Sequence, residues 1–474
     1  MNYIASLYKT RCQKLAEEIE IIKNKINILE AEKREYDAAG SPLLVSTRVP
    51  TSKKLTYDPH NLIGSDRLVV GMDAMEPEHV ERLATTLRQY PISGPNPSSD
   101  PFKLIADVKG RVQRNIEYGL DRAESLPELA ARSAQWYVGA NKISNRFGKR
   151  FGHPEHVAAG VLAALSPQKD WYQNTSLGER VMKIHKEHSN AGWSPEMDAA
   201  AKRFFDETNP KHAAGYAAIK GKTLSQIQDP IHAAMWIRAY DEGHHPRHFR
   251  TVTPEGDFGE HMLTAKNERA TAAWGSFNEI GNAVKIIRSQ GNMNVISRAL
   301  GNQHKVRSFY NNILQPNNPD RPDVTIDTHA IGSGLANPAL AGSSEEVSLG
   351  LGGSPRSAMT GIGGSYPLLK DVVTKVGQER NIIPSAVQSI IWDEKRAAVP
   401  PKGKGVKDRK QAVAKAWDAF KAGALSDKDV LDIYGSTFPE GQLPTWANTK
   451  TQGAVSTFES VSHKIKKLVK YLKG

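Results

Sequence analysis

From residue 101 onward, apolar residues return at intervals of three and four far more often than at intervals of two, and that periodicity confines the chain to a mostly α fold. The stretches FKLIADVKGRVQRNIEYGL (102–120) and SLPELAARSAQWYVGANKISNRFG (125–148) are the first of many such patterns. Strand-like runs are few, the clearest being VTID, which ends at Asp327. With 474 residues the chain can bury a sizeable core without staples. Cys12 is its only cysteine, which excludes an internal disulfide, a four-cysteine zinc site and a cysteine-ligated iron-sulfur cluster.

Four regions follow from changes of texture. In residues 1–38, Leu15, Ile19, Ile22, Ile26, Leu29, Lys33 and Tyr36 recur in steps of four and three among Glu and Lys, the seam of a short coiled-coil helix. Such a helix is expected either to self-associate or to pack on a partner surface. Residues 39–100 are rich in Pro, Ser and Gly and are expected to be an extended linker carrying one helix, EPEHVERLATTLRQ. Residues 101–400 form the main helical domain, interrupted by a Gly/Ser-rich surface insertion over 332–366. No G-K-[ST] follows those glycines, so they are not a phosphate-binding P-loop.

Residues 401–474 are expected to be a basic C-terminal tail, with Lys and Arg outnumbering Asp and Glu two to one. The chain carries a net charge of +12, while residues 1–38 are neutral, so DNA contact is expected at the tail rather than at the N-terminus. No apolar run reaches the length of a membrane span, and MNYIASLYKTRCQKLAEEIE lacks a signal peptide's apolar block. A soluble, intracellular protein is expected.

Three segments carry the chemistry. In HVAAGVLAALSPQKDWYQNTSLGERVMKIH, the stripe Val157, Val161, Leu162 and Leu165 predicts a buried helix that stops at Ser166-Pro167 before a second begins near Trp171. Gln168 then projects from the tight junction. In SFNEIGNAVKIIRSQGNMNVISRALGNQHKVRSFYNNI, a helix through Asn282, Ala283, Ile286 and Ile287 ends at Gly291. A short helix reaches Leu300, and Gly301 turns the chain into another helix near Lys305. A helix, a glycine turn and a second helix can grip a phosphate, and His304, Lys305 and Arg307 would lie beside it. In RPDVTIDTHAIGSGL, an extended Val324 to Ile326 delivers Asp327 and His329 just before a helix. An aspartate there is also a favoured helix N-cap.

Together these segments resemble the helix-hairpin-helix (HhH-GPD) DNA glycosylase superfamily. VLAALSPQKDWYQN is similar to that family's helix ending in a Ser-x-Gln turn, ALGNQHKVRSFYNNI to its Leu-x-Gly-x-Gly-x-Lys hairpin, and VTIDTHA to its Val-Asp-Thr-His segment. The resemblance implies a glycosylase-like helical core, with Lys305 as nucleophile and Asp327 as the carboxylate that stabilises a cationic sugar. It implies Gln168, Gly301, His304 and Arg307 on the DNA. Trp171, Tyr172, Trp274, His329 and Trp392 are the candidates for the base pocket, with no cofactor or metal. Gln303 stands where the family has its second hairpin glycine.

AALSPQKDWYQN, KVRSFYNNI, TIDTHA and PSAVQSIIWDEKR further resemble the phage glutamyl/putrescinyl thymine pyrophosphorylase-like group, including the stretch Trp392 to Arg396. That likeness implies a bacteriophage protein acting on a modified base in the cytoplasm of an infected host, or carried in the virion. Two rivals stay open: a non-catalytic DNA-binding or virion-associated structural protein, and a metal-dependent hydrolase using Asp327 and His329 with His244, His245 and His248.

Overall fold

A computed structural model describes residues 62–63, 67–68, 77–205, 208–264, 266–301, 304–316, 318, 323–340, 365–399 and 405–439. The heptad segment 1–38 lies outside the described residues, as does most of the Gly/Ser-rich insertion.

The described residues are mostly helical. A small antiparallel ribbon of β1 (Leu62–Ile63) and β2 (Arg67–Leu68) precedes α1 (Pro77–Leu87) and the long α2 (Pro101–Glu124). Next come α3 (Pro127–Ser133), α4 (Trp136–Phe151), α5 (Glu155–Ala164) and α6 (Trp171–Glu187). They are followed by α7 (Pro195–Phe204), α8 (Pro210–Ile219) and α9 (Pro230–His244). An antiparallel hairpin of β3 (Arg250–Val252) and β4 (Phe258–His261) interrupts the helices. Then follow α10 (Phe277–Arg288), α11 (Met293–Leu300), α12 (His304–Leu314) and α13 (Thr328–Leu335). The last four are α14 (Tyr366–Arg380), α15 (Pro384–Ala398), α16 (Val406–Lys421) and α17 (Asp427–Thr437).

Several of these helices start by one device. Asp100, Ser194, Asn209 and Asp229 each precede a proline, and each side chain accepts a bond from a backbone amide of the first turn. The cap satisfies an otherwise orphaned amide, and the proline at the first helical position has none to lose.

Helix α5 sits at the centre of the fold that builds the site. Its residues from Val157 to Leu165 are all buried, because the sequence is apolar on every face, the mark of a helix surrounded by others. Helices α4, α6, α10, α11 and α12 enclose it. The crossings are close: a side chain in place of Gly160 would press on Ile286 and Ile296.

Around this centre the expected domain boundaries shift. Leu83, Ala84 and Leu87 of α1 are buried and the helix packs on α2, so the linker does not extend to residue 100. Residues 332–335 belong to α13, which shortens the surface insertion from its start. The C-terminal region is corrected most. Val413, Trp417 and Phe420 of α16 and Val430 and Tyr434 of α17 are buried, and Trp417 Nε1 donates to Ala336 O at 3.2 Å. Arg122 of α2 ion-pairs with Glu394 of α15 at 2.7 Å inside the protein and also donates to Phe438 O, tying these elements together. Residues 405–439 are therefore part of the folded body. Most of the region's positive excess lies at 401–404 and 440–474, outside the described residues.

The VTID segment is extended but pairs into no sheet among the described residues. Asp323, Val324, Thr325 and Ile326 are all buried, so it is a threaded core segment rather than a half-exposed strand. Among the described residues no helix is long and apolar enough to cross a membrane.

Candidate active site

Three junctions bring the candidate residues together. Helix α5 ends at Ala164, and the turn to α6 places Gln168 at a left-handed φ of 55°, exposed, while Ser166 beside it is buried. Helix α11 ends at Gly301, whose φ of 63° and ψ of −157° suit only glycine, and α12 then starts with His304 and Lys305. Asp327 caps α13, its Oδ1 accepting from Ala330 N at 2.8 Å.

Lys305 and Asp327 line one open pocket of about 600 Å³, counting its mouth. Lys305 Nζ donates to Ser166 Oγ at 2.9 Å and lies 5.3 Å from the centre of the Phe309 ring, one helical turn along α12. Burial holds the Lys305 amine below the usual lysine pKa, while the charges of Asp327 and Glu279 pull it back up. Uncharged amine is what a lysine nucleophile needs.

The walls are aromatic. Trp136 meets Trp171 edge-on at 6.2 Å and Trp392 at 5.6 Å, and Trp171 meets Phe309 at 5.9 Å. The rings are held by buried polar groups. Asp393 accepts from Trp136 Nε1 and from Ser133 Oγ, and Tyr137 OH donates to Gln388 Oε1 at 2.7 Å. Arg396 lies 4.4 Å from the Trp392 ring centre. Burial and the nearby charge of Asp327 both raise the Tyr137 pKa, keeping its hydroxyl protonated as a donor. His329 stands edge-on to Trp392 at 5.9 Å, inside α13 rather than before it. Burial lowers its pKa, and Lys395 and Arg396 add to that effect against the pull of Asp327.

Gln168, Gly301 and His329 are not among the residues that line the pocket, and four other expected site residues are turned inward or lie elsewhere. Arg307 is fully buried, donating to Ser297 O at 3.1 Å, Gly301 O at 2.8 Å and Ser297 Oγ at 3.0 Å. It closes the end of α11 from inside and cannot reach a phosphate. His304 is likewise buried, its ring 5.5 Å from Tyr366. Trp274 donates to Asp241 at 3.2 Å, away from the pocket. Tyr172, next to Trp171, faces a different cleft on the other side of α6. The Gly301 amide donates within its own turn to Arg298 O at 3.2 Å.

The residues that sequence reasoning missed include Trp136, Tyr137, Ser166, Lys169, Asn174, Phe309 and Gln388. One signal was present: Phe309 follows Lys305 by four, the spacing that puts two side chains on one helix face.

The metal constellation does not assemble. His245 Nδ1 bonds Asp241 at 2.9 Å and His244 packs on Tyr240 at 4.7 Å. Among the described residues no three His, Cys, Asp or Glu side chains gather as a metal ion would require.

Residues 106–224 match the model of a family of unknown function (DUF7178). This stretch, under half of the chain, spans the Trp136, Ser166 and Trp171 side of the pocket and stops short of Lys305 and Asp327. No curated protein and no solved structure matches the chain.

Proposed function

We infer that the chain acts on a base in DNA through its N-glycosidic bond, with Lys305 as nucleophile and Asp327 as the stabilising carboxylate. One observation carries this: a lysine whose amine is biased towards the neutral form and a carboxylate line the same aromatic-walled pocket. As the bond between the base and C1′ breaks, its electron pair and a proton go with the departing base. Positive charge builds on the sugar, and Asp327 stabilises it at close range. The neutral Lys305 nitrogen bonds to C1′ and gives one proton to the departing base; its second proton passes to the ring oxygen as the C1′–O4′ bond breaks, leaving a Schiff base that water can hydrolyse. The target base must leave the stack, and a pocket with aromatic walls suits an extruded base. Exposure in a left-handed turn beside the pocket supports Gln168 as the side chain that fills the gap left behind.

The test is borohydride trapping on DNA carrying modified bases, beginning with modified thymines, to which the phage-group likeness points. Wild type should form a covalent complex, and Lys305→Ala should not while still binding DNA. Equal trapping by the variant overturns the assignment of the nucleophile. No product from wild type on any modified DNA favours a non-catalytic DNA-binding protein with a glycosylase-like pocket.

A further inference from the structure

On the face of α6 opposite the aromatic pocket lies a larger cleft of about 1270 Å³, counting its mouth. One wall is α4 with Arg146 and Arg150, the floor is α6 with Arg180 and Lys183, and the other wall is the chain from His245 through the β3–β4 hairpin. The hairpin is seated directly on α4: a side chain at Gly139 would collide with backbone atoms of Pro254, Glu255 and Gly256.

The charges in this cleft do not balance. Its two carboxylates are already engaged, Glu179 by Arg150 and Asp241 by Arg180 at 2.8 Å and by His245. Three further cations remain, each from a different element. Arg146 packs over the Phe258 ring at 5.5 Å, and neither it nor the exposed Arg250 has an ion pair among the described residues. Among the described residues Lys183 has a single long ion pair, to Glu187 at 4.0 Å. Arg250 pairs across the hairpin with His261, whose buried Nδ1 has no hydrogen-bond partner among the described residues. Like charges converging on a concave, partly dry site repel one another and focus a positive potential into it. An anion relieves that cost, and guanidinium forks match the oxygens of phosphate groups.

We propose that this cleft is a second binding site, for a ligand bearing a chain of phosphate groups, held by Arg146, Lys183 and Arg250. The site does not depend on the chemistry assigned to the aromatic pocket. Its ligand is either a free polyphosphate-bearing molecule or the backbone of a nucleic-acid strand, two sources of one chemistry.

The experiment is calorimetric titration of the full chain with inorganic triphosphate and, separately, with a single-stranded oligonucleotide. Wild type should bind triphosphate. Arg250→Gln and Lys183→Gln should each weaken binding by about tenfold, as expected for removing one charge-assisted hydrogen bond. Lys305→Ala should bind triphosphate as wild type does, which separates this site from the aromatic pocket. An oligonucleotide that competes with triphosphate, and is weakened by the same variants, assigns the cleft to a strand backbone; one that does not assigns it to a free phosphate compound. No binding of triphosphate by wild type, unchanged binding by both variants, or equal binding of a polyglutamate peptide overturns the proposal. Melting curves of Arg250→Gln, whose side chain is exposed, should match wild type and so exclude loss of fold as the cause.

Discussion

Asp327→Asn separates the helix cap that Asp327 forms from the catalytic job proposed for it. In the structure Oδ1 of Asp327 accepts from Ala330 N at 2.8 Å and so caps α13. Asparagine caps about as well as aspartate, so the change should move stability by only a few tenths of a kcal/mol, whereas Asp327→Ala should cost about 1 kcal/mol. Catalysis responds differently. If the carboxylate faces positive charge on the sugar, losing it should slow base release on the order of 10²-fold or more, the scale of removing one preorganised electrostatic group.

A second readout comes from Lys305. Burial lowers the amine's pKa, and Asp327 opposes that shift. Removing the carboxylate charge therefore lowers the Lys305 pKa further. The limb of the pH profile that rises as the amine loses its proton should move to lower pH in Asp327→Asn. Single-turnover base release followed by mass spectrometry across pH, beside thermal melts, gives both quantities. Wild-type rates from Asp327→Asn, or a rate lost with no movement of that limb, would refute a carboxylate working beside Lys305. A slow enzyme with a large fall in melting temperature would mean that the side chain is only a cap.

Arg307→Met should lower stability by about 3 kcal/mol, because the Ser297 and Gly301 carbonyls it serves would be left buried without a donor; DNA affinity at temperatures where the variant stays folded should not change, and a selective loss of affinity would return Arg307 to the interface. Removing residues 440–474, which leaves α16 and α17 intact, should weaken binding to all DNA sequences alike and flatten the salt dependence by about 0.9 for each phosphate that the tail had neutralised. An unchanged salt slope would mean that this segment serves another partner.

Much of the helical order was legible because the signals were local. The break at Ser166-Pro167, the stop at Gly291 and the turn at Gly301 all fall where the structure has helix ends. What composition hid was tertiary. Residues 405–439 look like part of a solvated tail because the charge of the flanking 401–404 and 440–474 dominates the count, yet Val413, Trp417 and Phe420 lie at helical spacing and are buried. The β3–β4 hairpin escaped notice because its strands are short and its residues largely polar, RTV and FGEH, so no apolar alternation marks it.

The misplacement of His304 and Arg307 has one cause, the rotational phase of α12. Successive residues on a helix point about 100° apart, so His304, Lys305 and Arg307 cannot all face one phosphate, although they are neighbours in sequence. Val306, Tyr310 and Ile313 are apolar and buried, and they fix which side of α12 meets the core. With that phase, Lys305 and Phe309 fall together on the half-buried pocket side, while Arg307 points inward to the end of α11. Acceptors on Ser297 and Gly301 satisfy this arginine in an interior position, and they come together there once the hairpin has folded. Adjacency in sequence therefore pointed to a cluster of cations, whereas helix geometry divides them into one lysine that lines the pocket and one arginine that ties the interior.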